Sequence, residues 1–316
     1  MTTSAWCLAH IECFSAFLYF PLWEVNMSNL KLDLLFTDPE EVDSTGLADY
    51  TSLDFVSSGS HIYGEIMWPS SDFKTPHPCV IMLHGFPGTA RNDDISHALC
   101  RIGCVVIVPH HRGAWGSQGK YLITNCIEDA QNLAEYVHSQ EFVEKYNVDS
   151  ESIFLLGHSM GANSALNAGR KIPWIKGLIL LTPYDPTRYL NRSKESYFRS
   201  LLEEGKILQS DGIDSLYEDV VINKDEISFP NAFSQVKDKN ILIFGATYDS
   251  ISPINEMILP LWNLLSQNKT NAIQKLFDYP TEHGLLGRRI SVIKEIASFI
   301  ENVQNREEKT REVKNA

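Results

Sequence analysis

The run Ser152-Ile153-Phe154-Leu155-Leu156-Gly157-His158-Ser159-Met160-Gly161-Ala162 limits what this chain can fold into more than any other stretch. Its apolar half reads as a buried strand that breaks at Gly157, and the Ala/Asn/Leu-rich residues 162–169 then read as a helix. Between the two lies Gly-x-Ser-x-Gly. A serine held in the open at a strand end needs a sharp turn and a strained backbone. The residues flanking that turn come too close to carry side chains, so both are glycine. The helix that follows aims free N–H groups at the same spot, which favours a developing anion. Ser159 is therefore the candidate nucleophile.

The rest of the chain has a matching rhythm. Runs at 52–56 and 61–67 flank Ser57-Ser58-Gly59-Ser60 and predict a hairpin. Short runs at 79–83, 104–108, 177–181 and 240–244 are apolar on both faces, as in the middle of a parallel sheet. Helical spacing appears at 93–102, 124–139, 254–267 and 286–303, with one more strand at 273–278. Strands alternating with helices predict an α/β fold with a mostly parallel central sheet flanked by helices. The rhythm breaks at 182–239, where helical pieces at 193–204 and 213–220 predict a mainly helical insertion over the strand ends. The expected division is an arm at 1–49, the α/β domain at 50–304 and a charged flexible tail at 305–316.

At 316 residues the chain can bury a substantial core, and its net charge of −13 argues against a nucleic-acid or anionic-membrane partner. The six cysteines (Cys7, Cys13, Cys79, Cys100, Cys104, Cys126) lack metal-ligand spacing and read as free thiols of a reducing, cytoplasmic setting. Residues 5–23 are apolar and aromatic, but His10, Glu12 and Pro21 interrupt them and no Lys or Arg precedes Lys31. That fits neither a signal peptide nor a membrane span well, and a start at Met27 would remove the segment. Membrane association is not expected, with the segment left as an open alternative; oligomeric state is not legible.

A serine hydroxyl attacks well only when a base takes its proton and an acid fixes the tautomer of that base. On a sheet of this kind the partners follow in the order Ser, Asp or Glu, His. Of ten histidines only His283 lies after Ser159, on a loop between the last strand and the last helix. Asp249, just past the run 240–244, is the preferred acid. Asp185, after the preceding strand, stays open as its rival, and Glu282 sits too close to His283 in sequence. The two oxyanion donors are expected to be the N–H groups of Met160 and Phe86, the latter from His84-Gly85-Phe86 after 79–83. His84 is assigned to bracing that loop. His110 and His111 point to opposite faces, so no shared metal is expected. Arg112 is assigned to anchoring its loop on Asp129, and Trp115 to the pocket or the core.

The run Phe86-Pro87-Gly88, His111-Arg112-Gly113-Ala114-Trp115-Gly116-Ser117 and Gly157-His158-Ser159-Met160-Gly161 resembles the α/β-hydrolase superfamily over about residues 50–303. Within it the chain is similar to catalytic domains allied to prolyl oligopeptidase and dipeptidyl peptidase. It departs from them at Ala162, where many have glycine, and in leaving no room for a β-propeller. The resemblance implies hydrolysis of a small ester, thioester or short amide through an acyl-enzyme, with no metal or organic cofactor, esters being favoured over peptides. Two alternatives stay open: an acyltransferase with the same three residues, and a non-catalytic ligand-binding protein.

Overall fold

A computed structural model describes residues 30–315. The apolar run 5–23, Cys7, Cys13 and Met27 lie outside the described residues. Eight strands form one sheet: β1 (Asp49–Ser57), β2 (Ser60–Trp68), β3 (His77–Leu83), β4 (Val105–Pro109), β5 (Val148–His158), β6 (Gly177–Leu181), β7 (Asn240–Ala246) and β8 (Gln274–Tyr279). Their order is β1-β2-β4-β3-β5-β6-β7-β8. Strands β3 to β8 run parallel, and β2 is antiparallel to both its neighbours. The β1–β2 turn has positive φ at Ser58 and Gly59, as a two-residue hairpin requires.

The double-sided apolar runs have a direct structural meaning. In β3, Cys79, Ile81 and Leu83 belong to one core cluster, whereas Val80 and Met82 belong to the other. Strand β5 divides the same way, with Ile153 and Leu155 opposite Phe154 and Leu156. The period of two sends alternate residues to opposite faces, so each central strand serves two cores. Helices Ile123–His138 and Met160–Gly169 cover the first face; Asp93–Arg101 and Arg289–Asn315 cover the second. The short turn Leu32–Phe36 joins that second layer through buried Leu30 and Leu35. Arg101 donates to the Leu34 carbonyl at 2.8 Å and holds it there. Cys79, Cys100, Cys104 and Cys126 are free and buried, and burial pushes the Cys100 thiol up to about 12.

Three expectations need correction. The helix expected at 254–267 is two, Ile254–Met257 and Leu259–Leu265. Pro260 sits in the first turn of the second, where a missing N–H is tolerated. The segment 305–315, part of the expected flexible tail, continues the helix Arg289–Asn315. It has no Gly or Pro and is rich in Glu, Lys and Arg, good helix formers that extend an already anchored helix. The insertion 182–239 also holds a helix that was not expected, Phe229–Val236, whose Phe229, Ala232 and Val236 belong to the main core.

The insertion is tied down from below. Asn163 and Asn167, buried on the helix after Ser159, donate to the Ile227 carbonyl at 3.1 and 2.9 Å. Asp219 accepts from the N–H and hydroxyl of Thr124 at 3.1 and 2.6 Å. Gln209 exchanges backbone bonds with Gly113 and Tyr121 at 2.8 and 2.7 Å.

As the sequence suggested, Arg112 anchors on Asp129. Its guanidinium and backbone N–H both bond the Asp129 carboxylate, which also accepts from Ser57 at 2.6 Å. Both side chains are buried. Removing one partner of a buried pair strands the other charge. Because Arg112 has a second carboxylate in Glu128 at 2.8 Å while Asp129 has no second cation among the described residues, Arg112→Met should cost about 3 kcal/mol in denaturant unfolding. The double variant Arg112→Met with Asp129→Leu should regain most of that loss; a double variant as unstable as the single would refute the stranded-charge account.

Candidate active site

Ser159 follows β5 with φ 55° and ψ −119°, a conformation side chains rarely adopt. The crowding behind it can be measured. A Cβ on Gly157 would lie 2.2 Å from the Gly161 carbonyl oxygen, and one on Gly161 would lie 2.2 Å from that of Leu83. Two bonds to the end of β6 and the segment after it secure the turn: Ser159 N–H donates to the Leu181 carbonyl at 2.9 Å, and Tyr184 N–H donates to that of Ser159 at 3.1 Å.

His283 lies beyond β8 and brings its ring between two partners. Its Nε2 is 2.9 Å from Ser159 Oγ, and its Nδ1 is 2.7 Å from Asp249 Oδ2. Asp249 stands past the end of β7 with its side chain fully buried. Its Oδ1 accepts from the N–H groups of Ile251 and Ser252 at 2.8 and 2.7 Å, which leaves Oδ2 for the imidazole. A carboxylate only accepts, so Nδ1 carries the proton and Nε2 offers a lone pair to the serine hydroxyl. Asp185 is buried too, but it is engaged elsewhere. It accepts from the N–H and hydroxyl of Thr187 at 3.1 and 2.6 Å, and from Phe229 N–H at 3.0 Å. Glu282 turns away to accept from Gly284 and Leu286 N–H.

The loop after β3 packs directly on the turn at Ser159: a Cβ on Gly85 would be 3.1 Å from Ser159 Cβ. His84 Nδ1–H donates to the Gly85 carbonyl at 2.8 Å, and His84 Nε2 accepts from His111 N–H at 3.1 Å. His111 Nε2–H returns a bond to the His84 carbonyl at 3.2 Å. Both rings are buried and brace the loop, and the half-buried His110 ring lies with its centroid 6.2 Å from that of His84. Trp115 lines neither pocket nor core. It is half-exposed, its indole packed where a Gly88 side chain would be. Among the described residues no group of His, Cys, Asp or Glu is placed to hold a metal ion.

Phe86, Met160, Ser159 and His283 line one cavity of about 70 Å³. The insertion closes it with Tyr184, Phe198, Leu201, Leu202 and Glu204, and Ile251 completes the wall. The Phe86 ring lies against Gly205, where a Cβ would come within 2.4 Å of it. Tyr197 is outside, donating to the Ser250 carbonyl at 3.3 Å. Ile251 was not legible as a wall residue, because it owes its place to the crossing of loops from separate strands. Two larger hollows, around Trp68 and around Trp174, lie at the opposite ends of the strands from Ser159.

The buried histidines carry a pH signature. Burial lowers His111 and His158 to about 4 and holds His84 well below its ordinary value. An unfolded histidine takes its proton near pH 6.5, roughly, so between that pH and about 4 the unfolded chain binds more protons than the folded one. Stability therefore falls as pH falls through this window. His111→Gln should flatten the slope of unfolding free energy between pH 6 and 4.5 by about 1.4 kcal/mol per pH unit. An unchanged slope would show that His111 is already protonated in the fold.

Residues 74–204 match the family model for serine aminopeptidase, S33. The chain is similar to the lysophosphatidylserine lipase ABHD12 of Danio rerio, 26% identical over 33% of this chain and 26% of that one. It is also similar to the monoglyceride lipase of Rattus norvegicus, 28% identical over 40% of this chain and 41% of that one. The chain thus spans about a quarter to two-fifths of the length of these relatives. Among solved structures, brefeldin A esterase, a bacterial homologue of human hormone-sensitive lipase, superposes with a TM-score of 0.60 at 13% identity, covering 86% of this chain and 82% of that one. Taken with the sheet order and the Gly-x-Ser-x-Gly turn between β5 and its helix, these likenesses show that the chain has the α/β-hydrolase fold and is similar over residues 74–204 to the serine aminopeptidase, S33 family.

Proposed function

We propose that this protein is a serine hydrolase cleaving small carboxylic esters through an acyl-enzyme on Ser159. The observation that carries the reading is the unbroken contact from Ser159 Oγ through His283 to buried Asp249. In this reading Ser159 Oγ attacks the ester carbonyl while His283 Nε2 takes its proton, and Asp249 stabilises the imidazolium that forms. The N–H groups of Phe86 and Met160, residues of the same cavity, receive the oxyanion. His283 returns the proton to the departing alcohol, leaving the acyl group on Ser159. A water deprotonated by His283 then releases the acid. Thioesters and short amides fit the same steps; the lipases and the esterase that resemble the chain favour esters. Four free buried thiols support a reducing, cytoplasmic setting as part of the proposal.

Labelling with a fluorophosphonate and peptide mapping tests the nucleophile: the adduct should fall on Ser159 and be absent from Ser159→Ala. Asp249→Asn should lower the rate by about 10⁴ by favouring the wrong tautomer. Ser159→Ala combined with His283→Ala should be scarcely worse than either alone, because the three act as a unit. Losses that multiply would refute the assignment, and a large loss in Asp185→Asn without one in Asp249→Asn would move the acid.

The narrow cavity closed by Phe198 and Leu202 favours short acyl groups. Phe198→Ala should raise the ratio of octanoyl to acetyl kcat/KM, each accommodated methylene being worth about 0.8 kcal/mol at most. Tyr197→Ala, outside the cavity, should leave that ratio unchanged. A uniform fall across chain lengths in Phe198→Ala, with a lower Tm, would assign Phe198 to the core alone.

A further inference from the structure

The loop that carries His283 is fixed by its backbone as well as by its ring. The carbonyl oxygen of His283 accepts two hydrogen bonds, from His158 Nε2–H at 3.1 Å and from the Thr182 hydroxyl at 2.8 Å. The donors come from neighbouring strands: His158 is the last residue of β5, and Thr182 is the first after β6. Both are buried. With the proton on Nε2, His158 Nδ1 has none, and that atom is buried without a partner beside Gly85. Burial keeps the ring neutral down to about pH 4, so Nε2 keeps its donor role across the neutral range. Thr182 holds φ at 38°, which strains a β-branched residue, while glycine would adopt it freely. A threonine retained in that conformation points to a use for its hydroxyl.

We propose that His158 and Thr182 are positioning residues that clamp the backbone of His283 to the ends of β5 and β6. The inference rests on the hydrolase reading above. With the carbonyl fixed, only the side-chain torsions of His283 remain to be set, and its ring meets Ser159 and Asp249 together. With the carbonyl free, a shift of about 1 Å breaks one of those two contacts, and misplacement of that size costs up to about a hundredfold in rate. Neither residue touches the reacting atoms in this account.

Steady-state kinetics on an acetyl ester, with Tm measured on the same samples, test the clamp. His158→Leu and Thr182→Val should each lower kcat about ten- to a hundredfold, with KM held within about threefold. His158→Gln, whose amide can donate from near the place of Nε2, should recover most of that loss. Thr182→Gly separates positioning from folding. It suits the backbone and removes the donor, so Tm should hold or rise while kcat falls as in Thr182→Val. Ser159→Ala belongs in the same series: turnover that survives it overturns the hydrolase reading, and the clamp with it. If Ser159→Ala is inactive but His158→Leu and Thr182→Gly stay within twofold of the unmodified chain, the clamp alone is overturned. A loss in His158→Leu that glutamine does not recover, or losses that follow Tm, overturn it as well.

Discussion

The close approach of three backbones behind Ser159 governs the whole upper face of the sheet. The end of β5, the first turn of the helix Met160–Gly169 and the end of β3 meet at distances that leave no room for a Cβ on Gly157 or Gly161. The strained conformation of Ser159 persists because its neighbours over-determine it, at a cost on the order of 1–3 kcal/mol. Bonds from Ser159 and Tyr184 bring the segment after β6 into the same knot. One tight turn therefore fixes four elements relative to each other, among them the helix start and the loop of Phe86.

Two carboxylates show how little separates a structural group from one proposed to serve the chemistry. Asp185 and Asp249 follow adjacent strands, both are buried, and each turns one oxygen to two donors of its own loop. The second oxygen makes the difference. In Asp249 it meets the His283 ring, whereas in Asp185 it meets Phe229 N–H and ties the insertion to the sheet. Burial raises Asp185 in pKa, an effect its three donors only partly offset.

What could be read from residues alone follows from what is local. Alternation and double-sided apolar runs express a parallel sheet wherever they occur, and the glycines around Ser159 answer a steric demand within five residues. His283 was legible because no other histidine follows Ser159. Between Asp249 and Asp185 the sequence offered only a preference for Asp249, since the choice depends on which loop reaches across the sheet end. His158 could be read only as a variable position of its motif; its partner lies 125 residues away. Tyr197 and Phe198 are adjacent, and periodicity could not say which of them meets the cavity. Trp115 looked like a pocket or core residue on hydrophobicity alone, yet it packs over a loop glycine with half its surface in water. The continuation of the last helix was legible in its composition and was read instead through its charge.

The contact between the Phe86 ring and Gly205 gives the insertion a second way to act. The ring belongs to the residue proposed to offer an oxyanion N–H, and the glycine belongs to the turn Glu203–Ile207. In the proposed reaction, an acyl chain that keeps this turn from seating would also strip the Phe86 loop of one wall. Misfit is then registered twice, as apolar surface left uncovered and as a donor less firmly held when the charge develops. The second effect would act only in the transition state, so in the proposed reaction an oversized substrate would be turned over slowly even where it is held well.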